Sequence, residues 1–281
     1  MISHFFEIMN LSGDLIRGDI RIPSEVGKFP LVIFSHGFKG FRNWSFIPYI
    51  CEKFVENNVI AINFDYSLNG IVDDLNQVYD DSIFRRNKVS VEVSDLSQLI
   101  SKIIENKLDN DELKSKFNGE IYLAGHSLGG AVSILTARKF ENIKKIALWA
   151  SISQLDRNTN RQKEAWRENG SVEIEIAKTG QKLHLDYSYI EDKDTNFPDN
   201  AILNEMSKIS LPVLIIHPDN DITVKMKEAL ELKSTESINK KRDLIVIPKA
   251  GHTFNCSHPF KGRNEAIETA IKSTLEFFKN T

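Results

Sequence analysis

Apolar runs of four to six residues alternate along this chain with longer stretches in which apolar residues recur every three or four positions. The short runs are Leu31–Ser35, Val59–Phe64, Ile121–Ala124, Lys145–Ala150, Val213–His217 and Leu244–Ile247. They lack the in-out alternation of a half-wet sheet, so they predict strands buried on both faces. The longer stretches predict the helices that cover them. In Val89–Leu108, the residues Val89, Val93, Leu96, Leu99, Ile100, Ile103 and Ile104 share one helical face. Glu265–Lys279 repeats the pattern with Ile267, Ile271, Leu275 and Phe278. Ahead of the first buried run, Phe5–Met9 and Leu15–Ile22 predict a hairpin turning at Ser12-Gly13-Asp14. Strands alternating with helices predict an α/β fold, a mostly parallel sheet flanked by helices.

The alternation fails between Ser151 and Lys208, where the chain turns polar. A strand-helix connection usually takes about 2–6 residues, so this stretch is too long to be one. Its Trp166, Leu183, Leu185, Tyr187 and Phe197, with the alternation across Val172–Ile176, predict an ordered cap inserted into the core. The core is then residues 1–150 and 209–281, and the cap 151–208.

Composition narrows the function classes. Of 281 residues, 36 are Lys or Arg and 39 are Asp or Glu, a formal net charge of −3. That balance gives no excess positive field for a phosphate backbone and argues against nucleic-acid binding. No apolar run approaches the ~20 residues that cross a bilayer, which argues against a membrane partner. The N-terminus shows no basic start followed by an unbroken apolar segment, and the two cysteines read as reduced thiols. A cytoplasmic protein is expected.

The chemistry concentrates in Gly125-His126-Ser127-Leu128-Gly129, between the run Ile121–Ala124 and a helical stretch, Ala131–Phe140. A serine hydroxyl is a weak nucleophile until it is lifted clear of the sheet and given a base. A tight strand-to-helix turn lifts it, and crowding favours glycine two positions to either side. The base must lie downstream at the same sheet edge. His252 qualifies, in Ala250-Gly251-His252 just past Leu244–Ile247; His217 comes too early in the chain and His258 six residues later in the loop. The acid should follow Val213–His217, where Asp219 and Asp221 both stand. Asp221 is the better candidate, and Asp219 is suited to tying the turn. Two N–H donors must face the developing oxyanion. Leu128 follows the nucleophile, and Phe38 follows Gly37 in His36-Gly37-Phe38-Lys39-Gly40, after the first buried run. His36, Gly37, Trp166 and Phe197 are further candidates for substrate contact. No clustered ligand set predicts a metal, and acyl transfer to water needs no cofactor.

Phe34-Ser35-His36-Gly37-Phe38, Gly125–Gly129, the Asp221–Val224 turn and Ala250-Gly251-His252 together resemble the α/β-hydrolase superfamily, in the superfamily's order and over nearly the whole chain. The loop with Arg42-Asn43-Trp44 soon after it, and the inserted cap, are similar to bacterial cinnamoyl/feruloyl esterase-like enzymes. They also resemble dienelactone-hydrolase-like and acylaminoacyl-peptidase-like relatives. One departure is His217-Pro218, where the superfamily commonly has His-Gly. The resemblance implies an α/β-hydrolase fold and a carboxylesterase acting on small-molecule esters through an acyl-serine. A peptidase or amidase, a thioesterase or acyltransferase, and a non-catalytic binding protein are the alternatives.

Overall fold

The computed structural model describes residues 1–235 and 242–280. The chain opens with β1 (Ile2–Met9) and β2 (Leu15–Ile22), then β3 (Phe29–Ser35), α1 (Ile47–Glu56) and β4 (Ile60–Asp65). A short ribbon, β5 (Ile71–Asp73) and β6 (Val78–Tyr79), leads to α2 (Asp81–Phe84), α3 (Val89–Ile104) and α4 (Asp111–Lys116). Then come β7 (Phe117–His126), α5 (Leu128–Ala137) and β8 (Ile143–Trp149). Residues 151–208 hold α6 (Asn160–Asn169), the hairpin β9 (Ser171–Glu175) and β10 (Lys182–Asp186), α7 (Ser188–Asn196) and α8 (Ala201–Lys208). The chain ends with β11 (Val213–Pro218), α9 (Met226–Ser234), β12 (Arg242–Ile247) and α10 (Glu265–Lys279).

Eight strands form one sheet in the order β1-β2-β4-β3-β7-β8-β11-β12. The two edge pairings made by β2 are antiparallel, and every pairing from β4 to β12 is parallel. This is the α/β architecture that the hydrophobic pattern predicts. The continuous apolar runs have a simple cause. In β3, Leu31 and Ile33 face one core layer, with α3 and α5, while Val32 and Phe34 face the other, with α1 and α10. Each face is dry, so neither set of alternate positions can be polar. Each fully buried Val, Leu, Ile or Phe contributes about 1.5–3 kcal/mol, which is why the sheet centre tolerates so little polarity.

Local differences from the expected elements have local causes. The α3 helix stops at Ile104, and Asn106 turns the chain with φ +55°. The helix after Ser127 begins at Leu128 rather than Ala131, because Gly129 and Gly130 are helical despite their poor propensity. Residues 151–208 bury their apolar side chains in two places. Trp166, Ile176, Leu183, Leu185 and Ile190 make a small core with Phe41, Ile71, Tyr79 and Phe84, whereas Ile202 and Met206 of α8 are buried in the main core. Among the described residues, no helix is long and apolar enough to cross a membrane. Both cysteines, Cys51 and Cys256, are buried free thiols.

One buried carboxyl makes the fold pH-sensitive. Glu92 on α3 is 3% exposed; its Oε1 accepts from Asn87 at 3.1 Å, and its Oε2 has no protein partner. Burial pushes its pKa up to about 8, against the Asn87 bond. The folded state therefore binds this proton more tightly than the unfolded state does. Its contribution is fully present below the ordinary glutamate value and is lost as pH rises towards about 8. Glu92→Gln should flatten that slope, by on the order of a few kcal/mol between pH 4.5 and 8. Urea titrations of both proteins at a series of pH values measure it; parallel pH profiles would show that the carboxyl does not titrate on folding.

Candidate active site

The carboxyl ends of β3, β7, β11 and β12 converge at one edge of the sheet, and each carries a candidate residue. Ser127 stands between β7 and α5 with φ +56° and ψ −119°, a region that L-residues avoid at a cost of about 1–3 kcal/mol. The glycines around it are dictated by contact. A Cβ on Gly125 would lie 2.3 Å from the Gly129 carbonyl oxygen, and one on Gly129 would lie 2.2 Å from that of Ser35. A Cβ on Gly130 would meet the Ser151 hydroxyl at 2.5 Å. The turn thus packs backbone on backbone.

His252 and Asp221 are brought together. Nδ1 of His252 lies 2.7 Å from Oδ2 of Asp221, whose Oδ1 accepts the N–H groups of Thr223 and Val224 at 2.8 and 2.9 Å. Burial pushes the Asp221 carboxyl up, but the His252 bond and the two N–H groups outweigh it and hold it below its ordinary value. Asp219 is exposed, and its N–H bonds the Ile247 carbonyl at 3.0 Å, tying β11 to β12. His217 donates from Nε2 to the Val224 carbonyl at 2.9 Å, which braces the turn carrying Asp221. His258 accepts the Ser45 N–H at 2.9 Å and donates to the Asp74 carbonyl at 2.7 Å.

One residue that the sequence did not single out is His126. Its Nε2–H donates to the carbonyl of His252 at 2.9 Å, and its ring centroid lies 4.7 Å from that of His252. Desolvation lowers its pKa to about 3, so it is neutral at working pH. Its position next to Ser127 was the only available signal.

The loop after β3 approaches Ser127 closely: a Cβ on Gly37 would sit 3.0 Å from the Ser127 Cβ. The Gly37 carbonyl is anchored by the Gly40 N–H at 2.8 Å and by Nδ1 of His36 at 2.9 Å. Within the same planar trans peptide the Phe38 N–H points the opposite way, and it has no protein acceptor among the described residues. Leu128 opens α5, so its N–H also lacks an intrahelical acceptor. Burial lowers the His36 pKa to about 4 and keeps that ring neutral. Tyr79 Oη donates to the Lys39 carbonyl at 2.7 Å, and Asn63 Nδ2 to the Arg42 carbonyl at 2.7 Å, fixing the rest of the loop.

Ser127 and Phe38 are shared by two cavities of about 370 Å³ each. The first holds His252, His36, Gly37, Trp44 and His258, with Lys178 from the β9–β10 turn. The second is more apolar, with Leu128, Ile152, Trp166, Leu185 and Tyr189 in its wall. Trp166 stacks on Tyr189 at 6.1 Å and donates to the Leu185 carbonyl at 2.8 Å. Phe197 is not brought to either cavity; it packs against the main core, because α7 ends just before it and turns the chain down towards α8. Among the described residues, no group of three or more His, Cys, Asp or Glu side chains could hold a metal ion.

The sheet order, the helical layers and the serine turn after β7 define an α/β-hydrolase fold. The chain matches the Dienelactone hydrolase family over residues 16–281 and belongs to it, which makes it a hydrolase. Among solved structures it is similar to Est1E from Butyrivibrio proteoclasticus, with 20% identity and a TM-score of 0.67, covering 98% of this chain and 97% of that one. The same protein with ferulic acid bound matches at 21% identity and a TM-score of 0.68, covering 96% of each chain. A putative hydrolase from Agrobacterium vitis S4 matches at 17% identity and a TM-score of 0.72, covering 99% of each chain. At these identities the likeness is one of fold. No curated protein shows a significant sequence match to the chain.

The backbone contacts around Ser127 give a sharp contrast between two glycines. Gly129→Ala must push a methyl group into the Ser35 carbonyl, whereas a Cβ on Gly251 meets nothing within 4 Å. Gly129→Ala should cost at least about 1–3 kcal/mol of folding stability, as overpacking does. Gly251→Ala should stay within about 0.5 kcal/mol. Denaturant unfolding of the two variants checks this; equal stabilities would show that the turn relaxes freely.

Proposed function

We propose that this hydrolase is a serine carboxylesterase acting on small-molecule esters. The observation that carries the reading is a strained Ser127 that lines two cavities and shares the first with a His252 bonded to a buried Asp221. In this reading Nε2 of His252 takes the Ser127 proton as Oγ attacks the ester carbonyl. Asp221 keeps the other ring proton on Nδ1 and stabilises the imidazolium. The N–H groups of Phe38 and Leu128 receive the oxyanion. The imidazolium then protonates the departing alcohol, leaving an acyl-serine. Water, deprotonated by His252, repeats the addition, and the carboxylate leaves with Ser127 restored. Family membership and the likeness to a ferulate-bound fold support a carboxylic ester over an amide.

Ser127→Ala should remove p-nitrophenyl acetate turnover and labelling by a phosphonate, since the nucleophile is gone. Labelled peptide mapping should return Ser127 alone; a labelled residue elsewhere would sink the assignment. Asp221→Asn should lower kcat about 10⁴-fold by disfavouring the productive histidine tautomer. Asp219→Asn should change kcat little, because that side chain is exposed. The opposite ranking in steady-state assays would redraw the site through Asp219.

A further inference from the structure

Lys193 is a lysine buried in the wall of the more apolar cavity, only 4% exposed. Its Nζ has three donors, yet it bonds only the Leu155 carbonyl, at 3.3 Å, and lies 5.3 Å from the Tyr189 ring centroid. No carboxylate among the described residues pairs with it. Asp156 and Asp194 act on its charge from beyond contact distance, and both lie against Lys163. Lys163 lies between Asp156 at 2.7 Å and Asp194 at 3.7 Å, and Asp192 accepts from Ser90 and Asn196. The other cation in this wall, Arg157, is neutralised by Glu228 at 2.8 Å. A buried charge with no carboxylate in contact is costly, and burial lowers the Lys193 pKa against the pull of Asp156 and Asp194. An apolar side chain of similar volume would fill the position without that cost. The cation makes sense if something that enters the cavity completes it.

The two cavities also differ in what they hold of the reaction. His252, which protonates the departing alcohol, lines only the first cavity. The leaving group therefore belongs there. The second cavity has Leu128 and Ser127 in its wall and no histidine, so it receives the acyl chain.

We propose that the acyl group this enzyme accepts ends in a carboxylate, which Lys193 pairs in the wall of the apolar cavity, so that the substrates are monoesters of dicarboxylic acids. The proposal rests on the esterase reading above. The apolar wall, with Ile152, Trp166 and Leu185, covers the methylene chain between the two ends. A buried charge pair formed in that setting selects strongly, because a neutral chain end would leave the ammonium desolvated and unpaired.

Two matched series of p-nitrophenyl esters test it. One series carries dicarboxylic acids from succinate to suberate; the other carries neutral acyl chains of the same length ending in methyl. In the wild type, kcat/KM at the best length should favour the anionic ester at least ten-fold. Lys193→Met should lower that anionic-to-neutral ratio at least ten-fold, mainly through KM, and Lys193→Arg should recover part of it. A neutral series that is equal or better at every length would overturn the proposal. So would a Lys193→Met variant that slows both series alike, which is the behaviour of a lysine that only ties α7 to Leu155. If neither series is hydrolysed, the esterase reading fails separately. Calorimetry of free glutarate, adipate and suberate on Ser127→Ala then decides the pocket. Binding that is lost in the Ser127→Ala, Lys193→Met double variant supports it, and no binding overturns it.

Discussion

Backbone-to-backbone contact around Ser127 is the constraint on which the site depends. The Gly125–Gly130 turn leaves no room for a side chain on its inner face: Gly125 sits against Gly129, Gly129 against the end of β3, and Gly37 against Ser127 itself. Two segments distant in sequence are thereby locked to each other with tolerances of tenths of an ångström. The strain at Ser127 is sustained by that packing, since the turn cannot relax without separating β3 from β7. The candidate nucleophile and both candidate oxyanion donors belong to these same segments, so their mutual geometry follows from the sheet register.

Electrostatics around this centre follows a second rule: rings that hold the scaffold are neutral. His36 and His126 are each buried and pushed well below the ordinary histidine range, and each spends its N–H on a backbone carbonyl. His217 is likewise lowered by burial and braces the acid turn. A charged ring at any of these places would compete with the positive charge that the proposed mechanism puts on His252. Asp221 is thus left as the near counter-ion of His252.

How much of this is legible in the sequence depends on the range of the interaction that sets each feature. The parallel sheet shows in the chain because both faces of β3, β7 and β11 are dry, and dryness is written position by position. The serine turn shows because its steric demands fall on immediate neighbours. Asp219 and Asp221 follow the same strand, and only the turn geometry, with two N–H groups on one carboxylate, separates them. The aromatic residues of 151–208 were ambiguous for a different reason. Trp166 and Phe197 look equivalent in sequence, yet one reaches a cavity and the other the main core, depending on how α6 and α7 dock. His126 owes its interest to a partner far along the chain, and Lys193 to burial in a cavity wall, which no local pattern announces.

Phe38 is a candidate for two functions that answer to different atoms. Its main-chain N–H is the candidate oxyanion donor, while its ring, leaning on Phe84 and Tyr189 at 5.8 and 6.1 Å, lines both cavities. The donor is indifferent to which side chain the residue carries, provided it is not proline. The ring can therefore be exchanged over generations for something smaller or more polar, reshaping both cavities that it lines, without dismantling the chemistry. A fold that places its reactive dipoles in the backbone and its selectivity in the side chains of the same residues is free to change what it digests while keeping how it digests it.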